Sequence, residues 1–71
     1  MDQNVIREVL YFYGAPGGWQ PGSFAEALIR ALTLADSVNF AKLKSAFPDY
    51  GEAVAIAKSV GIEALASQLP E

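Results

Sequence analysis

The side chains in this 71-residue sequence that are able to do acid–base or nucleophilic chemistry are eight carboxylates, five lysines and arginines, and a small number of hydroxyls. Cysteine and histidine are both missing. Without them neither a Ser–His–Asp relay nor a Cys–His pair can be assembled. The same gap removes nearly every zinc, haem and transition-metal site. Two carboxylates brought together could still act as an acid/base pair, but each has a structural role available to it. Asp2, Asp36 and Asp49 stand where helices begin, Glu26 and Glu52 fall in first helical turns, and Glu8, Glu63 and Glu71 lie on solvated faces. So small a chain also has little room for a substrate cleft of about 300 Å³ or more. The expectation is a protein that is not an enzyme, with no metal and no cofactor.

The glycines raise a phosphate-loop reading, which fails on inspection. Gly17 and Gly22 have the required separation, but Ser23 occupies the place of the lysine and the loop follows a helix rather than a strand. A helix-turn-helix regulator is the stronger rival to a protein-binding function. The second and third helices meet at a tight turn, Ala35-Asp36-Ser37, and the third presents Asn39, Lys42 and Lys44, residue types that contact bases and phosphates. Against it stand a net charge of −3, the lack of an arginine in that helix and an acid in the turn. Nucleic acid is therefore not the expected partner.

Aromatic residues are the remaining candidates for a functional surface. Trp19, the only tryptophan, either folds back over the seam between the first two helices or anchors a protein partner, as tryptophan and tyrosine often do at binding hot spots. Both hold if the loop covers a core shared between subunits. Tyr11, Tyr13 and Tyr50 join it as candidate partner-binding residues.

These residues are positioned by an all-α chain, a single helical domain over residues 1–71. It reads as a small bundle of three to four short helices with a Gly/Pro-rich loop between the first and second. From Asp2 to Tyr13, Val5, Ile6, Val9, Leu10 and Tyr13 share one face, while Arg7 and Tyr11 point away. Gly14 suits the left-handed position after a helix, and Pro16-Gly17 and Pro21-Gly22 are turn dipeptides. Ser23-Phe24-Ala25-Glu26 has the form of a capping box. The helix it opens has Phe24, Ala25, Leu28, Ala31, Leu32 and Ala35 as its buried stripe, Ile29 and Leu34 on its flanks, and Glu26 spaced to pair with Arg30. Apolar over much of its circumference, it is expected to be the most buried element.

Asp36 or Ser37 caps a third helix running to about Phe47, with a stripe of Phe40, Leu43 and Phe47. Pro48 ends it, and Asp49-Tyr50-Gly51-Glu52 resembles a second capping box for a helix from about Tyr50 to Val60. That helix packs through Ala53, Ile56, Ala57 and Val60 and stops at Gly61. Ile62 to Leu69 is left as a short terminal helical piece or a loop.

Apolar residues make up 52% of the chain and mean hydropathy is +0.22, high for so small a protein. Burial worth on the order of 100 kcal/mol is opposed by an ordering cost of about the same size. A lone monomer is thus marginal, and self-association into a homo-oligomer is expected. The start, Met1-Asp2-Gln3-Asn4, is acidic and polar, unlike a signal peptide. The uncharged stretch from Val9 to Ala25 is broken by glycine and proline and cannot span a bilayer as one helix. A cytoplasmic protein that does not engage a membrane is the default reading.

Trp19-Gln20-Pro21-Gly22-Ser23-Phe24, followed by Leu28-Ile29, Ala31, Ala35-Asp36, Asn39, Leu43 and Phe47-Pro48, resembles a pattern in small proteins encoded by bacteriophages that infect actinobacteria. It covers Trp19 to Pro48, under half the chain, and most of its positions are turn, cap and core residues. The group has no established activity, so it assigns no site residue. It implies a phage accessory protein, active in the cytoplasm of a bacterial host and open to contact with a host protein.

Overall fold

Five helices and no strand are formed by residues 1–70, which the computed structural model describes. The first, α1 (Gln3–Phe12), begins at Asp2, whose carboxylate accepts the Asn4 N–H at 2.9 Å. It buries Val5, Ile6, Val9 and Leu10. It ends as its sequence predicts. Gly14 takes φ +73°, and the Gly14 and Ala15 N–H groups return to the Tyr11 and Leu10 carbonyls at 2.9 Å each. These paired bonds satisfy carbonyls that the helix end leaves free, and the positive φ is open to glycine without a Cβ penalty.

The loop that follows lies directly on α1. Trp19 donates its backbone N–H to the Arg7 carbonyl at 3.2 Å, and the Arg7 guanidinium donates to the Gly17 carbonyl at 2.7 Å. Gly18 makes this approach possible. A Cβ there would lie 2.7 Å from both the Arg7 carbonyl oxygen and the Tyr11 Cα. Pro21 is buried, and the chain enters the second helix, α2 (Ser23–Leu34), through Gly22.

That entry corrects the expected capping box. Gly22 is the extended N-cap residue (φ −70°, ψ 171°), its carbonyl accepts the Glu26 N–H at 2.9 Å, and no side chain caps the helix. With the extended residue one position earlier, Ser23 is already inside the first turn and cannot reach the free N–H groups. Glu26 pairs instead with Arg30 at 3.1 Å, as its spacing predicts.

The buried stripe of α2 also differs from expectation. Leu28, Ile29 and Leu32 are buried, Ala25 and Ala35 are half-buried, and Phe24, Ala31 and Leu34 are exposed. Nor is α2 the central element. That place belongs to α4 (Pro48–Ser59), which packs against every other helix.

Between them α3 (Ser37–Ala46) is capped by Asp36, whose carboxylate accepts the Asn39 N–H at 2.8 Å. It buries no residue fully, and Phe40 and Leu43 are half-covered. Pro48 both ends α3 and starts α4, its fixed φ and missing N–H suiting a first-turn position. The second capping box is therefore not formed, because the helix begins before Asp49 and no side chain caps it. Gly51, Ala53 and Val54 are the buried residues of α4, and Val60 is exposed. After Gly61 the chain forms α5 (Ile62–Ala66), which places Leu65 in the core.

Candidate functional site

The four aromatic candidates do not form one cluster. Trp19 is 47% exposed and lies against α1, with the Arg7 guanidinium 5.0 Å from its ring. Such a cation–π contact desolvates one side of the guanidinium, and Arg7 Nε is left buried without a hydrogen-bond partner. Tyr11 is exposed on the same stretch of α1 that carries the loop. The other two tyrosines tie helices together. The Tyr13 hydroxyl meets the Thr33 hydroxyl at 2.8 Å, and Thr33 also donates to the Ile29 carbonyl at 2.8 Å, linking α1 to α2. The Tyr50 hydroxyl donates to Glu8 at 2.6 Å, linking α4 to α1.

The Tyr50 link has a pH signature. Burial first, then the hydrogen bond to Glu8 and its charge, and last the charge of Asp2, push the phenol up to about 12 from 10.0. The folded state therefore holds its proton where the unfolded chain loses it. Stability contributed by this group is complete below pH 10 and is lost as pH rises from 10.0 toward about 12. Urea titrations across that window are expected to show a decline in stability that is visibly flatter in Tyr50→Phe. An equal decline in both proteins would remove the role of the Tyr50–Glu8 bond.

Asn39, Lys42 and Lys44 are all exposed on α3 but do not share a face. Asn39 and Lys42 border a shallow hollow against α2, together with Ala31, Leu34, Ala35 and Leu43. Lys44 borders a second hollow, between α3 and α4, beside Ser37, Phe40 and Lys58. Its stem crosses over Gly51, so part of this lysine is packing material. A recognition helix would need these side chains on one surface.

A further apolar feature at the surface lies outside the aromatic candidates. On α2, Phe24 is 66% exposed and Leu34 is 77% exposed, and between them Ala27 and Ala31 are open to solvent. At 100° per residue these four positions span about 80° of the helix surface, opposite Ile29 and with Leu28 at the margin. Phe47 extends it, since its ring lies 5.8 Å from that of Phe24 at 58°. The Glu26–Arg30 ion pair borders the stripe on the side away from α3. The signal was present in the sequence as two interleaved apolar stripes on a single helix.

Among the described residues, no three His, Cys, Asp or Glu side chains converge on a common point. No helix among them is long and apolar enough to cross a membrane. No protein-family model, curated protein or solved structure matches the chain.

Proposed function

We propose that this chain is a non-enzymatic protein-interaction module, a bacteriophage accessory protein that acts in the cytoplasm of its bacterial host by contact with itself or with a host protein. The observation that carries this reading is the outward stripe of α2, where Phe24, Ala27, Ala31 and Leu34 remain open beside Phe47 although a separate face of the same helix fills the core. Continuous exposed apolar surface of this kind marks binding faces far more often than scattered single residues do. Trp19 and Tyr11 offer a second, smaller aromatic surface on α1. The phage and host context rests on the resemblance over Trp19 to Pro48.

Affinity capture from nuclease-treated lysate of an actinobacterial host tests this reading. Wild type is expected to retain protein partners, its own tagged copies included, in near-stoichiometric amounts. Leu34→Lys, a change at a 77%-exposed position that places a cation near the helix C-terminus, is expected to lose them. If wild type retains nothing beyond what the variant retains, the stripe is not a binding face.

A further inference from the structure

The α2 stripe is complementary to itself. Phe24, Ala27, Ala31 and Leu34 follow the three-four-three spacing of a paired-helix seam, with large residues at its ends and small ones at its centre. Two such stripes can be laid against each other antiparallel, about a two-fold axis. With Phe24 of one copy level with Ala31 of the second, each large ring faces the small-residue centre of the opposite helix, the alternation that lets helices interdigitate.

The same register matches the charges. The two-fold brings the Glu26–Arg30 edges of both copies to the same side of the seam. Glu26 of one copy then stands within about 1.5 Å along the axis of Arg30 in the second. The ion pair that each copy closes within itself, at 3.1 Å, is joined by the equivalent pair across the axis. A parallel arrangement separates these edges to opposite sides and leaves that complementarity unused.

Area sets the strength of the contact. Phe24, Leu34, the 36%-exposed Phe47 and the two alanines offer roughly 400 Å² of apolar surface. That is near a tenth of the 4252 Å² surface of the chain, the usual share for one side of an interface between small proteins. Two copies bury at most ~800 Å² through these residues, below the ~1,200 Å² typical of stable complexes. We infer that α2 is the two-fold seam of a reversible antiparallel homodimer, in which Phe24 seats against Ala31 of the second copy and Glu26 pairs with its Arg30. The inference rests on the protein-contact reading above and names a second copy of this chain as the partner.

Charge exchange tests it. Glu26→Arg and Arg30→Glu each place like charges across the seam and are expected to weaken dimerisation of the full chain about tenfold or more in sedimentation velocity, with helical circular dichroism retained. An equimolar mixture of the two restores opposite charges and is expected to form a heterodimer tighter than either variant alone. A wild type that stays monomeric at high micromolar concentration overturns the homodimer. Single variants that associate like wild type, or a mixture no tighter than its parts, overturn the seam. In each of those cases, partner capture abolished by Leu34→Lys would still leave the protein-contact reading standing, so the two can fail separately.

Discussion

Gly51→Val is expected to destabilise the protein by about 3 kcal/mol, a large part of the ~4–10 kcal/mol available to a domain of this length. Gly51 sits inside α4 where α3 crosses it, and a Cβ there would lie 2.6 Å from the Lys44 Cβ and 2.8 Å from its Cα. The second of these is backbone, so no rotamer change in Lys44 relieves the clash and the two helices must separate. In an open helix, replacing glycine gains helix propensity worth up to ~1 kcal/mol. The two accounts therefore predict opposite signs. Thermal melting followed by circular dichroism decides between them, with a fall of roughly 15 °C expected at this size. An unchanged or raised melting temperature would show that α3 and α4 do not approach closely at Gly51.

The second large effect separates the two faces of α2. Ile29 is fully buried in the hydrophobic core, and Ile29→Ala is expected to cost about 3–4 kcal/mol through lost burial and the cavity left behind. Leu34, 77% exposed, should show the reverse pattern. Leu34→Lys changes folding stability of the dilute protein by no more than about 0.5 kcal/mol. Urea denaturation at low protein concentration measures both. Comparable losses for the two variants would mean that Leu34 is part of the core and that α2 has no free face.

Local chemistry explains which features were legible in the sequence. Asp2 and Asp36 cap as expected, and the stops at Gly14 and Gly61 fall as expected, because each depends on residues within a few positions of itself. The Glu26–Arg30 pair is legible for the same reason. The N-cap falls at Gly22, one residue before Ser23. The signature of a capping box does not encode where the chain turns into the helix, and here buried Pro21 and extended Gly22 set that point. At Asp49 the competing signal was Pro48, whose ring suits the first turn and starts α4 earlier.

The face of α2 was a harder problem. Periodicity identifies apolar stripes but does not say which of two meets the core. Docking against α4 selects Leu28, Ile29 and Leu32 and leaves Phe24, Ala31 and Leu34 outside. The same long-range cause hid the role of Tyr50, whose partner Glu8 lies 42 residues away. Tyrosines read as candidate binding residues thus divide between an exposed one, Tyr11, and two whose hydroxyls hold helices together. Trp19 is a half-exposed ring held beside Arg7, a contact that no local pattern announces.

The central claim is that the outward stripe of α2 binds a second copy of the chain. Sedimentation equilibrium of wild type and Leu34→Lys over a wide concentration range tests it most directly. Wild type is predicted to rise from the 7.6 kDa monomer mass toward twice that value, while the variant stays at the monomer mass throughout. Superimposable curves for the two proteins, whether monomeric or associating, would contradict the claim.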